Sequence, residues 1–319
     1  MPDTNNFALS EFLQQLINGL SLGSIFALIA LGYTMVYGII ELINFAHGDV
    51  FMIGTFVTII VLELLGVTNT ITNPVVLIGV LLITAVVAMV FCGLLGVVIE
   101  RVAYRPLRHA PRLAPLITAI GISLILEDLA KLRFGSSFVG VPSVFPNITF
   151  QVGGVTISWL NVITFLVAVV LMIALQVLIS RTKTGRAMRS VAQDRDAASL
   201  MGVDVDRTIV ITFFLGGALA GAAGLIWGLE IKQTVFYVGF QVGLIAFTAA
   251  VLGGIGNIVG AMFGGLIIGL IPATIQILDF YFPGYQLTRW NEAAIFAVLI
   301  LILIFRPTGL FGQQTPDKV

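Results

Sequence analysis

The sequence predicts an all-α integral membrane protein, a polytopic helical bundle of eight or nine crossings with broken helices and a weak internal two-fold repeat. Three observations predict it. Hydrophobic residues make up 58% of the 319-residue chain and charged residues only 10%. A soluble domain carries roughly 25% charged residues, and so few charges cannot cover a soluble core of this size. The apolar residues also fall in runs close to the roughly 20 residues that a helix needs to cross hydrocarbon. Finally, the chain holds 34 glycines, which suit helices packed closely in lipid. The formal net charge is zero, so charge gives no reason to expect a nucleic-acid partner.

Taken in order, Met1 to Glu11 carries no Lys or Arg, so the basic start of a cleavable signal is missing and the first apolar run reads as a permanent helix. That run, 12–41, contains Asn18, Gly19, Gly23, Gly32 and Gly38 and reads as a tilted span with a bent extension. Further runs cover 50–66, 75–99, 157–179, 208–229 and 290–305. The run at 115–130 starts at Pro115 and ends near Glu127 and Asp128. The stretch 241–277 is interrupted by Gly253-Gly254-Ile255-Gly256-Asn257, read as a break between two helices. Cys92, the one cysteine, lies in an apolar run and cannot form an internal disulfide.

Twelve of the sixteen basic residues fall in the 101–112 loop, the 181–207 loop and the tail after Phe305. The positive-inside rule places those segments in the cytoplasm and the N-terminus outside. The number of crossings is then odd, which is met when the pieces flanking Gly253–Asn257 count separately. The apolar-polar-apolar pattern around Ile43–Asp49 echoes that around Leu252–Asn257. Paired breaks in two halves point to a transport site at mid-membrane.

Three segments carry candidate functional residues. In 181–207, residues Gly185 to Leu200 form an expected amphipathic helix with Met188, Val191 and Ala192 on one face, ended by Gly202. The bland alternative is an ordinary basic loop. Asn44, His47 and Asp49 join two apolar runs; they either line a bent segment beside a translocation path or form an interfacial turn. The break at Gly253, Gly254, Gly256 and Asn257 frees backbone groups that lipid cannot satisfy. Those groups either meet a polar substrate or mark close packing, with Gly260, Gly264, Gly265 and Gly269 nearby. Gly217–Gly221 and Gly224–Gly228 are small-residue pairs that packing explains. Glu127 and Asp128 with Lys131 and Arg133, Glu230 with Lys232, and Glu292 with Arg289 read as local ion pairs, and no isolated buried carboxylate stands out. His47 and His109 are the only histidines, which argues against a metal site.

Asp196-Ala197-Ala198, then Gly202, then Ile209 resembles the "EAA" loop of ABC-importer permeases, with Asp196 where Glu is usual. The wider text resembles the branched-chain amino-acid permease family, in its smaller, leucine-type member. It does so in Gly19–Gly23, Asn44–Asp49, Glu100-Arg101, Tyr104–Leu107, Thr184–Arg189, Asp204–Arg207, Leu215–Gly221, Leu252–Asn257 and Phe305–Gly312. The resemblance implies a single transmembrane permease domain, 1–319, with 181–207 as its ATPase-coupling loop. It marks Gly185, Arg186, Arg189, Asp194, Asp196, Ala197, Ala198 and Gly202 as the coupling residues. It also implies an assembly in the bacterial inner membrane: a second homologous permease, two ABC ATPase subunits and an extracytoplasmic substrate-binding protein. The cargo implied is Leu, Ile or Val, carried by alternating access; near relatives carry urea, amides or other amino acids.

No Gly is followed by Lys anywhere, so the chain has no Walker A cradle, and any ATP is used by another subunit. No catalytic motif or cofactor site is visible. A stand-alone channel or ion-coupled carrier is the competing class.

Overall fold

The computed structural model describes residues 4–108, 110, 111, 113–146, 148–152 and 154–312. His109, Arg112 and Lys318 lie outside the described residues. The helices are α1 (Thr4–Ile40), α2 (His47–Leu64), α3 (Pro74–Ile99), α4 (Leu113–Phe134), α5 (Trp159–Arg181), α6 (Lys183–Gln193), α7 (Arg195–Leu200), α8 (Val205–Ile231), α9 (Val238–Gly253), α10 (Ile258–Tyr281) and α11 (Asn291–Phe305). A π-helical turn, Glu100–Tyr104, extends α3. Among the described residues, eight helical segments are long and apolar enough to cross a membrane, the last being Leu287–Phe305, which adds a preceding turn to α11; α9, with 16 residues, is shorter. The expected break between α9 and α10 is present.

Local chemistry explains where the helices start. Asn73 accepts from the amides of Val75 and Val76, and Pro74 takes the first helical position of α3, where its missing N–H costs nothing. Ser158 caps α5, Thr182 caps α6, Asp204 caps α8 and Asn257 caps α10, each accepting from an amide of the first turn.

Two short antiparallel ladders sit at the end of the bundle opposite α6 and α7. They are β1 (Val139–Gly140) with β4 (Gln233–Thr234), and the hairpin β2 (Thr149–Val152) with β3 (Val155–Ser158).

The core lies along α1, α2, α8 and α9, which bury most of their length. Around them, α3, α5 and α11 expose bulky apolar side chains such as Val86, Val90, Phe91, Val170, Ile173, Leu301 and Ile304. Apolar faces of this kind suit hydrocarbon. The packing obeys an internal two-fold relation in which α1–α4 correspond to α8–α11. Helix α1 packs on α10 as α8 packs on α3, α2 on α8 as α9 on α1, and α2 on α4 as α9 on α11, while α1 meets α8 and α2 meets α9. The repeat is therefore real, but its breaks pair differently from the sequence echo. The counterpart of residues 41–46 is 232–237, the segment entering α9, because the starts of α2 and α9 meet: Gly48 packs on Gly239 and Gly243. The turn at Gly253–Asn257 corresponds instead to the α2–α3 connection.

Glycines permit these crossings. At α1–α10, a Cβ on Gly265 would overlap the Ala27 backbone, and one on Gly23 would lie 2.9 Å from the Leu266 Cα. At α8–α3, Gly217 and Gly221 face Cys92 and Ala88, as expected for small-residue pairs. Because Gly265 touches backbone rather than a movable side chain, Gly265→Leu is expected to cost about 3 kcal/mol or more, the upper part of the overpacking range. Gly79→Leu is expected to be silent, since nothing lies within 4 Å of its added Cβ. Size-exclusion profiles of the two tagged variants in detergent check this; a normal peak for Gly265→Leu would contradict the crossing.

Candidate functional site

Three regions carry the sequence-predicted residues, and contacts at the end of α1 link them. The first is the break between α1 and α2. Helix α1 ends at Ile40, and Glu41 takes a left-handed φ of 55°, a costly conformation for a non-glycine residue. The chain then turns back into the bundle. The His47 ring lies against Gly32, eight residues before the end of α1, or about 12 Å along its axis. His47 also meets the Tyr33 ring edge-on, with centroids 4.8 Å apart.

Asp49 is fully buried. Its Oδ2 accepts a hydrogen bond from Ser123 of α4, and its Oδ1 has no partner. Ser123 lies about 15 Å along α4 from Leu113, close to half a hydrocarbon core. Asp49 is thus a buried carboxylate that the sequence reading did not single out as isolated. It sits in the first turn of α2, and Gly239 in the first turn of α9 packs directly on it. Helix N-termini carry partial positive charge, so a carboxylate is stabilised where two of them converge. Asn44 is buried as well, and the hydroxyl of Tyr104 lies 3.3 Å from its Oδ1 and 3.1 Å from the Ile43 carbonyl, to which it donates. Asn44, His47 and Asp49 therefore lie buried inside the bundle.

The second region is 181–207. It holds two helices, where one was expected from Gly185 to Leu200. Asp194 breaks it: its backbone is extended (φ −158°), and its side chain accepts from the amides of Asp196 and Ala197 at 2.9 and 3.0 Å. A side chain that caps the next helix competes with continuing the previous one. Met188 and Val191 are buried as expected, but Ala192 is exposed. Gly185 is required by the α5–α6 turn, since a Cβ there would strike the Ile179 carbonyl. Arg189 donates to that same carbonyl, and Arg186 is exposed. Ala198 is buried, Ala197 and Asp196 are exposed, and Gly202 ends α7 at φ 83°. At the tip stand Leu200 and Met201, 89% and 84% exposed. The sequence reading missed them; two adjacent bulky apolar residues within an otherwise polar, charged loop were the available signal.

The turn at Gly253–Asn257 lies at the same end as α6, since Gly256 packs on Gly38 and a small groove joins both to Met188 and Ala192. Part of its freed backbone is taken by residues that follow α11. Leu310 and Phe311 donate to the carbonyls of Leu252 and Gly253 at 2.8 and 3.1 Å, and Asn257 Nδ2 donates to the Phe311 carbonyl at 2.8 Å. Gly254, at φ 103°, lies against Thr308 and Gly312. Close packing accounts for the glycines at 253 and 254.

Among the described residues, none of the expected local pairs closes into a salt bridge. Lys131 lies 5.2 Å from the centroid of the Phe236 ring, Arg133 lies over Phe134, and Glu230 accepts from Thr164 at 3.4 Å. Among the described residues, the ion pairs instead link Arg108 to Glu100 and Asp206, and Arg105 to Asp206 at 2.5 Å. Glu100 is fully buried.

Comparison with known proteins decides the family. Residues 15–303 match the model of the "branched-chain amino acid transport system / permease component" family. The chain belongs to this family. It is 42% identical over 313 residues to the high-affinity branched-chain amino acid transport system permease protein BraD of Pseudomonas aeruginosa, covering 97% of this chain and 98% of BraD. It is 44% identical over 315 residues to the corresponding protein LivH of Escherichia coli K12, with the same coverage. A probable branched-chain amino acid transport permease protein LivH of Methanocaldococcus jannaschii is 30% identical over 201 residues, 63% of this chain and 61% of that protein. No solved structure matches. The family is one of transport components, and this permease is accordingly a multi-pass membrane protein.

Proposed function

We propose that this permease is a membrane subunit of an ATP-driven importer that passes branched-chain amino acids across the bacterial inner membrane by alternating access. The observation that carries the reading is identity above 40% along almost the whole chain with permeases named for high-affinity branched-chain amino acid transport. The partners are a second homologous permease, two ABC ATPase subunits and an extracytoplasmic binding protein. ATP is used by the ATPases, and this chain holds no cofactor. Its N-terminus lies outside and its C-terminus in the cytoplasm, together with α6, α7 and the Gly253–Asn257 turn.

Segment 181–207 docks on the ATPase. Exposed Leu200 and Met201 form an apolar knob of the kind that anchors an interface, since large side chains filling a pocket carry most binding energy. Gly185, Arg189 and Asp194 shape the segment, while Arg186, Asp196 and Ala197 face outward with the knob and Ala198 seats it. Residues Asn44, His47 and Asp49 mark where two half-helices meet, the feature around which transporter repeats rock.

The test is co-purification of the tagged permease in mild detergent from cells carrying the whole system. The unmodified chain is expected to bring down the ATPase and the second permease. Leu200→Ser with Met201→Ser is expected to lose at least about 90% of the ATPase, a deficit of roughly 1.4 kcal/mol or more, while keeping the second permease. Recovery of the chain alone, even after cross-linking at 181–207, would favour a stand-alone carrier or channel.

A further inference from the structure

Two connections run from segment 181–207 to the break between α1 and α2, one from Arg195 within it and one that starts at Asp206 on its C-terminal flank and passes through Arg108 to the turn that holds Tyr104. Arg195, the first residue of α7, donates to the Ile39 carbonyl at 2.9 Å. That carbonyl lies in the last turn of α1, where carbonyls lack amide partners and favour a cation. From the other flank, Asp206 in the first turn of α8 holds Arg105 and Arg108, and Arg108 holds Glu100. Glu100 opens the π-helical turn that Tyr104 closes. A π turn inserts an extra residue and re-aims the side chains that follow. Tyr104 is buried, leans on Phe213 of α8 and reaches Ile43 and Asn44. Both arms therefore end within residues 39–44, just before His47 and Asp49. Between them opens a cleft of about 390 Å³, lined by Glu41, Leu42, Tyr104, Gln193, Asp194 and Asp196 among others. It leaves α7 room to move against the break without unpacking a core.

We propose that Arg195 and Tyr104 are positioning residues that carry movement of the coupling segment to the 41–46 break, and so to the meeting point of α2 and α9. Helix α6 touches the bundle through buried Met188 and Val191 and through Arg189 at the end of α5. Arg195 and Tyr104 instead hold the α1–α2 break itself. The inference rests on the reading of 181–207 as the ATPase-docking segment.

The experiment uses the full assembly in proteoliposomes, with Cys92→Ser and a reporter Glu41→Cys in the permease. It reads leucine uptake, ATP hydrolysis, and maleimide labelling of the reporter with and without ATP and vanadate. In the parent, trapping with ATP and vanadate is expected to change the labelling rate. Tyr104→Phe and Arg195→Gln are expected to keep assembly, and ATP hydrolysis within about twofold, while uptake per ATP falls at least about fivefold, the scale of a typical coupling between sites. The labelling change is expected to vanish, and Arg195→Lys to recover part of both. A merely structural role would lower assembly yield without changing uptake per ATP. Parent-level uptake per ATP with the labelling change intact in both variants would overturn the proposal. If the Leu200/Met201 double variant keeps its ATPase, the docking reading and this inference fall together. If it sheds the ATPase while Tyr104→Phe and Arg195→Gln transport normally, only this inference falls.

Discussion

Arg108→Leu is expected to destabilise the permease by about 3–5 kcal/mol, because it leaves Glu100 as an uncompensated buried charge. Glu100 has no exposed surface, and Arg108 is the residue that pairs with it. The pair joins the end of α3 to the start of α8 through Asp206, so its loss loosens core helix α8 and the outer helix α3 at once. In a chain of this size the expected fall in melting temperature is about 10 °C, on a scale of roughly 2–4 °C per kcal/mol. Heating the detergent-purified variants and measuring the monodisperse fraction checks it. Adding Glu100→Gln to Arg108→Leu removes the orphaned charge and is expected to restore more than half of the loss. No rescue would assign the cost to Asp206 or to lost packing of the arginine stem.

Asp49→Ala is expected to abolish uptake and to cost about 2–3 kcal/mol, since it strips the counter-charge from two converging helix N-termini and orphans the Ser123 hydroxyl. Asp49→Asn separates these contributions. It keeps the shape and an acceptor for Ser123 but removes the charge, so its expected cost is smaller, about 1–2 kcal/mol. Ser123→Ala leaves the buried carboxylate without its one bonded donor and is expected to cost about 1–3 kcal/mol. Thermal stability of the three variants, read beside uptake in proteoliposomes, gives the order Ala worst and Asn mildest or close to Ser123→Ala. An Asp49→Asn variant as stable as the parent would refute the dipole account.

Much of the scaffold was legible in the chain because hydrocarbon demands long apolar helices, and such runs stand out against polar gaps. The span boundaries, the break before Asn257 and the helix stop at Gly202 all follow from composition and backbone chemistry within a few residues of each feature. The Asp194 break was harder. The same residue serves equally well inside an amphipathic helix or as a cap, and only its extended backbone separates the two. The ion pairs failed for a related reason: residues four apart on a helix can pair, yet Lys131 and Arg133 found aromatic rings, while Arg108 found a partner 98 residues away.

The sequence by itself determined that this is a helical membrane permease, which segments are long and apolar enough to cross, and where its long polar loop lies. Those properties depend on the solvent each segment must face, and side-chain chemistry reports that directly. Only the tertiary structure decided that α2 and α9 start nose to nose on Asp49, that the glycine turn is sealed by residues 308–312, and that Arg195 and Tyr104 reach the break. These are contacts between residues far apart in the chain. Their geometry is fixed by which helix faces can approach closely, a property of glycine-lined pairs of surfaces and not of any one segment.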